Sequence, residues 1–392
     1  MKIFVLLPRI PWPLEKGDKL RAYNQIKQLA NNNEVVLCAL NTDKKADKDA
    51  AMKALKPYCS SITFIDLNKI SILLNITKAF FKGLPMQCGY FYNKKAHRKI
   101  HDLIEKHKPD MLFGQLLRVA EYIRFENKPK TIDYQDVFSM GMKRRYDIAP
   151  FYMKPFFKME YKRLRRYEHD IFDDFEVKTI ISIPDRDLID HPKKDEILIV
   201  PNGVDHDYYK PQEREKKYDI VFTGNMAYPP NVNAVEYLAN QILPIVWQQL
   251  PDVKMYIAGA TPDPRVKKVA SDKIIISGWL DDMRDAYAQS KVFIAPMRIG
   301  TGLQNKLLEA MSMRLPCITT SLANNSLHAE NGKEILVGND EHELANHIIT
   351  LLTDKLKADE LAQNGYDFVH RVYDWGMATS IMEHKMELFK SR

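Results

Sequence analysis

The chain has 392 residues, 45% of them hydrophobic and 28% charged, with a formal net charge of +7. That length exceeds one ordinary core and suits two α/β domains, and the composition excludes a disordered or fibrous chain. No stretch approaches the roughly 18–20 apolar residues that span a bilayer, and the scattered Cys38, Cys59, Cys88 and Cys317 form no zinc-ligand spacing and read as reduced structural thiols.

The opening MKIFVLLPRIPWP carries a short apolar run broken by Pro8 and Arg9, without a small-residue cleavage site. It reads as a first buried strand rather than a signal peptide, so a cytoplasmic location is expected. Further strands are expected at 34–40, 62–66, 111–114, 130–134, 179–182 and 197–200, and a second series at 218–223, 253–258, 273–277, 292–296, 316–320 and 334–337. Helical periodicity fills the intervals, as at 20–30, 234–250 and 305–313. Alternating β and α units predict parallel sheets covered on both faces, joined by right-handed crossovers. The fold class is therefore α/β, with two Rossmann-like, doubly wound domains at 1–200 and 201–372. The boundary falls where a strand ends in PNGVD and a charged segment, 211–217, precedes the next strand. Residues 373–389 read as a final helix entered through Tyr373 and Trp375.

Ligands of open parallel sheets bind at the carboxyl ends of the strands, so the loops there are read first. After the first strand, Gly17 opens a helix with Lys16, Lys19 and Arg21 around it. That is either an anion-accepting helix start or a solvated turn. Basic residues crowd 143–166, among them Arg144, Lys158 and Arg163, with Phe151, Tyr152, Phe156 and Phe157 interleaved, and 70–81 is apolar enough to be amphipathic. Such surfaces suit an anionic membrane, although a helix that packs its aromatics inward has the same pattern. No nucleic-acid recognition module is present, and nucleic acid is not an expected partner.

In the second half the strand YDIVFTG ends at Gly224, followed by Asn225. The pattern is neither GxGxxG nor a Walker loop. The strongest signal is APMRIGTGLQNKLLEAM, in which Arg298, Gly300, Thr301, Gly302 and Leu303 precede a helix bearing Lys306 and Glu309. A glycine-rich loop opening a helix offers backbone donors, a favourable dipole and cations, as phosphates require. Arg298 suits bidentate contact and Lys306 acts as a point charge. A surface salt bridge between Lys306 and Glu309 at i,i+3 is the structural alternative.

These pieces, together with IVPNGVD at 199–205, YIAGATP at 256–262 and SGWLDDM at 277–283, resemble the retaining GT-B glycosyltransferases of family 4. The resemblance implies two facing Rossmann-like domains, with the C-terminal helix crossing back to the first. It implies a sugar moved from a nucleotide-diphosphate donor to a glycan or lipid-linked acceptor in surface polysaccharide synthesis. No cofactor beyond that co-substrate and no metal are expected.

In that reading Glu309 grips the donor ribose, and Arg298 and Lys306 stabilise the leaving diphosphate. Backbone groups of the Gly300–Leu303 loop hold the sugar, and the Trp279–Leu280 turn meets the base. Gly17, Gly224 and Asn225 complete the donor surroundings. Three departures from the family pattern stand out. Thr301 replaces the first of two glutamates, no Arg or Lys follows Gly224, and Gln135 replaces a histidine beside Asp136. Asp136 is then the candidate catalytic carboxylate, or a cap on the following turn. A nucleotide-sugar epimerase of the same architecture and a non-catalytic sugar-nucleotide scaffold remain alternatives.

Overall fold

The computed structural model describes residues 1–300 and 302–390. Two compact units form: Met1–Pro201 together with the segment from Trp375 onward, and Asn202–Asp374.

The first unit is built on seven strands, β1 (Lys2–Leu7), β2 (Glu34–Asn41), β3 (Ser61–Asp66), β4 (Met111–Gln115), β5 (Lys130–Gln135), β6 (Val177–Ile180) and β7 (Leu198–Ile199), in the order β3-β2-β1-β4-β5-β6-β7. Every neighbouring pair is parallel. Successive side chains of a strand face opposite ways, so the apolar run of β1 divides between two cores. Phe4 and Leu6 enter one with Val36, Cys38 and Leu112. Ile3, Val5 and Leu7 enter the other with Leu37, Phe113 and Ile26. This second core also receives Ala378, Met382 and Met386 from the helix Trp375–Lys390. Glu383 of that helix accepts a 2.6 Å hydrogen bond from Asn33 Nδ2.

The second unit holds β8 (Tyr218–Thr223), β9 (Met255–Ala258), β10 (Ile274–Ile276), β11 (Ser290–Ala295), β12 (Cys317–Thr319) and β13 (Leu336–Val337), all parallel, in the order β10-β9-β8-β11-β12-β13.

Local differences from the expected elements have identifiable causes. The strand expected at 179–182 lies at Val177–Ile180, because Ser182 instead caps the helix Ile183–Asp187, its hydroxyl accepting from the Asp185 N–H. The helix expected at 234–250 runs from Pro229 to Gln249 with a π-helical segment, Leu238–Ile242, inside it. Pro244 follows that segment and has no N–H to give the regular ladder.

Arg21 corrects a charge assignment. It turns inward from the helix Gly17–Leu29, with Nε 2.7 Å from Asp133 Oδ2 and Nη2 3.0 Å from Oδ1, both side chains fully buried. Thr179 Oγ1 donates a third hydrogen bond to Asp133, at 2.8 Å. The pair fastens the first helix to β5 and β6 and leaves Arg21 unavailable to an external anion. Removing one partner strands a buried charge. Arg21→Ala should lower stability by about 3–5 kcal/mol in urea unfolding; a loss below about 1 kcal/mol would show that the pair is not a structural bolt.

Candidate functional site

The order β10-β9-β8-β11-β12-β13 makes the first and fourth strands of the second unit neighbours. Crossovers on either side of that pair leave in opposite directions, opening a crevice at the carboxyl ends of β8 and β11. Gly224 follows β8 there, and the loop 296–304 follows β11.

Two glycines bring backbones together at this point. A Cβ on Gly259 (φ +149°) would lie 1.7 Å from the Gly224 carbonyl oxygen. One on Gly224 (φ +147°) would lie 2.7 Å from Asn231 Nδ2 and 3.3 Å from Lys306 Nζ. Only glycine fits either position.

Lys306 comes from the helix Asn305–Ser312. Its ammonium donates to Asn231 Oδ1 and stands 4.6 Å above the Phe222 ring. The Asn231 amide in turn donates to the Asn225 carbonyl at 2.9 Å. The Lys306 ammonium thus stands beside Gly224, brought there by another helix. Desolvation pushes the Lys306 pKa down to about 7, against the attraction of Glu309.

Glu309 accepts a 2.7 Å hydrogen bond from the Tyr287 hydroxyl, which also lies 2.8 Å from Thr223 Oγ1. Burial raises its pKa, opposed by Tyr287, Lys306 and Tyr209. The expected alternative of a surface salt bridge does not hold. Lys306 and Glu309 are partly buried, and each is held by a neutral partner.

Arg298 is exposed and turned toward the helix Pro229–Tyr237, with Nε 3.2 Å from Asn233 Oδ1 and the guanidinium 4.1 Å over Tyr237. Arg298 and Lys306 thus reach the same helix, at Asn233 and Asn231. Gly300 has φ +104°, and a Cβ on Gly302 would meet open space. Leu303 packs against the core, while Thr301 lies outside the described residues. After β10, Gly278 turns with φ +69°. Leu280 faces the core and Trp279 is exposed, its Nε1 3.1 Å from Asp281 Oδ1.

The remaining candidates belong to the first unit. Gly17 starts its helix with open space around it. Lys19 is engaged by Glu15 at 3.7 Å and by the Trp12 carbonyl at 3.3 Å. Asp136 follows Gln135, whose φ is +60°, and lies half-exposed 3.8 Å from Arg144. Sequence reasoning missed Asn231, Tyr287 and Phe222 as the supports of Lys306 and Glu309. Asn231, in the first turn of the helix Pro229–Tyr237, passes for an ordinary helix-start residue. Tyr287 carries no local signal at all. Among the described residues, no group of three or more His, Cys, Asp and Glu side chains is placed to hold a metal ion.

Residues 217–354, which contain Gly224, Asn231, Tyr287, Lys306 and Glu309, match the family described as Glycosyl transferases group 1. The chain is a glycosyltransferase. A protein described as an uncharacterized 44.6 kDa protein in the cps region of Klebsiella pneumoniae is 23% identical over 95% of this glycosyltransferase and 96% of its own length. The UDP-Gal:alpha-D-GlcNAc-diphosphoundecaprenol alpha-1,3-galactosyltransferase of Escherichia coli is 25% identical over 45% of this chain and 52% of its own. Among solved structures, sucrose-phosphate synthase from Thermosynechococcus elongatus superposes with a TM-score of 0.72 at 16% identity, covering 100% of both chains. Anabaena HepE in complex with UDP and glucose gives 0.67 at 14% identity, with 99% of each chain covered. The likeness establishes the GT-B fold of two parallel-sheet, Rossmann-like domains.

The geometry makes a direct prediction. In the free glycosyltransferase, 13C-labelled lysine NMR should show Lys306 titrating near pH 7 and losing its charge as the pH rises. A midpoint above about 10, the ordinary lysine range, would remove the desolvation argument.

Proposed function

We propose that this glycosyltransferase moves a hexose from a uridine-diphosphate donor to a glycan or lipid-linked acceptor in surface-polysaccharide synthesis, with retention and without a metal or other cofactor. The observation that supports it most is the sunken ammonium of Lys306 at the Gly224 elbow, with Glu309 one helical turn on, inside the segment that matches the family. The UDP and the undecaprenol-linked acceptor in the descriptions of the similar proteins point to the same substrate classes.

In this reading the C1–oxygen bond to the β-phosphate breaks, an acceptor hydroxyl bonds to C1, and its proton leaves on the departing diphosphate. The charge that develops on that diphosphate meets Lys306 and the N–H groups opening the helix Asn305–Ser312. Arg298 joins them by releasing its neutral partners Asn233 and Tyr237. Glu309, already aligned by Tyr287, accepts the ribose hydroxyls. Trp279, exposed at its turn, lies against the base. The mechanism requires no protein nucleophile.

A diphosphate beside Lys306 restores the charge that desolvation removed, so its pKa rises on binding. Between pH 7.5 and 9, UDP should bind with uptake of a proton and with affinity falling as pH rises. Glu309→Ala should weaken UDP binding and Lys306→Ala should lower kcat, each by about 1.5–3 kcal/mol. Wild-type calorimetry and kinetics in both variants would place the donor site elsewhere.

No helix among the described residues is long and apolar enough to cross a membrane. We propose peripheral association instead. The helices Lys69–Phe81 and Lys154–Asp170 meet where Arg163 donates to the Phe80 carbonyl at 2.9 Å and covers the Phe80 ring at 4.8 Å. Around them Ile70, Leu73, Phe81, Ile148, Phe151 and Tyr152 are exposed amid Lys and Arg. Apolar tips with a cationic surround match an anionic bilayer surface. The protein should co-sediment with phosphatidylglycerol vesicles and lose most of that binding in Phe151→Glu/Tyr152→Glu. Equal recovery with phosphatidylcholine vesicles would contradict it.

A further inference from the structure

The first unit repeats the topological feature of the second. Its order β3-β2-β1-β4-β5-β6-β7 makes β1 and β4 neighbours, so its own crevice opens at their carboxyl ends. A cavity of about 360 Å³ lies in this unit, lined by Arg9, Thr42, Ile76, Met86, Gln87, Tyr90, Phe91 and Arg118. Arg9 follows β1, Thr42 follows β2, and Arg118 stands in the turn Leu117–Val119 just after β4. Leu116, which leads into that turn, holds φ +65°, a costly conformation for a branched side chain.

Arg118 is mostly enclosed, yet among the described residues it has no carboxylate partner. Its Nη2 donates to Gln87 Oε1 at 3.1 Å, and its guanidinium lies 5.2 Å over Phe91 and 4.9 Å over Phe138. Its Nε is buried without a hydrogen-bond partner. Burial, and then the like charges of Arg9 and Arg145, push its pKa down to about 10. The nearby carboxylate of Asp18 is already bound to Arg9 Nε at 3.1 Å. A guanidinium enclosed in this way is costly unless an anion arrives. With Asp18 compensating Arg9, the two guanidiniums leave one net positive charge at the cavity, which suits an anion, and forked N–H groups match phosphate oxygens. Beside them Ile76, Met86, Tyr90 and Phe91 offer an apolar wall.

We propose that this cavity binds a phosphate ester carried by the acceptor, with Arg118 and Arg9 on the phosphate and the apolar wall against the carbon skeleton next to it. The inference rests on the transferase reading only in calling the ligand the acceptor. The phosphate belongs either to a polyprenyl diphosphate or to a phosphorylated sugar, and the two sources are separable.

The test is calorimetry on the full chain saturated with UDP, which keeps phosphate probes out of the Lys306 site. The probes are farnesyl diphosphate, glucose 1-phosphate and the neutral control farnesol. Binding of either phosphate probe, weakened at least tenfold in Arg118→Gln and in Arg9→Gln, with UDP affinity unchanged and no binding of farnesol, is the expected result. Farnesyl diphosphate alone would assign the phosphate to the lipid, and glucose 1-phosphate alone to the sugar. Arg118→Lys should recover part of the binding, which a purely structural arginine would not show. Arg9, whose side chain is 29% exposed, gives a second variant should Arg118→Gln fail to fold. No binding of either phosphate probe, or binding indifferent to both substitutions, overturns the proposal. Failure of UDP itself to bind the wild type would instead count against the donor reading, and the phosphate titrations without UDP would still decide this one.

Discussion

In each unit the first strand of the sheet pairs with the fourth, β1 with β4 and β8 with β11. Parallel strands need long crossovers, and those on the two sides of such a pair must run in opposite directions. The crevice between them cannot be filled by a crossover, and the backbone ends and helix starts that face it carry unspent hydrogen-bonding groups. What each unit places there follows from that constraint. The second unit supplies the Gly224–Gly259 contact and Lys306; the first supplies the turn after Leu116 and Arg118.

The buried cations fall into two kinds. Arg21 meets the Asp133 carboxylate at both its oxygens, and the charge is neutralised inside the fold. The direct hydrogen-bond and ring partners of Lys306 and Arg118 are neutral, an asparagine and a phenylalanine ring for one, a glutamine and two rings for the other, with Glu309 and Asp18 acting on them only at longer range. Their pKa values move down to about 7 and about 10, while the internal pair holds its helix on the sheet. Neutral partners orient a cation without cancelling it, which leaves its field available to an anion from outside. Glu309 likewise has a neutral direct partner, since the Tyr287 hydroxyl donates to one carboxylate oxygen.

Much of the architecture was legible beforehand because buried parallel strands are nearly continuous apolar runs. Each of the thirteen strands among the described residues overlaps its expected interval, with ends shifted by up to two residues, at 179–182 because Ser182 caps a helix. The π-helical segment before Pro244 was not legible, since a missing N–H tells where the ladder is broken but not how the chain absorbs the break. The glycine-rich loop and the helix of Lys306 and Glu309 were legible because loop chemistry and helical spacing are local properties. Arg21 was misjudged for the same reason: its neighbours in the chain are basic, and its partner lies 112 residues away.

The sequence by itself determined the α/β alternation, the two sheets, the glycine elbows and the residue types available for phosphate chemistry. These depend on periodicity, on φ angles that only glycine takes at low cost, and on side-chain chemistry, all of which are written within a few residues of one another. Only the tertiary structure decided which cations are spent inside the fold and which remain open. It put Asn231 and Phe222 around Lys306, Tyr287 against Glu309, Asp133 against Arg21, and Arg9 beside Arg118. The physical reason is that a charge is set by what surrounds it within a few ångströms, and the folded sheets draw those surroundings from distant parts of the chain.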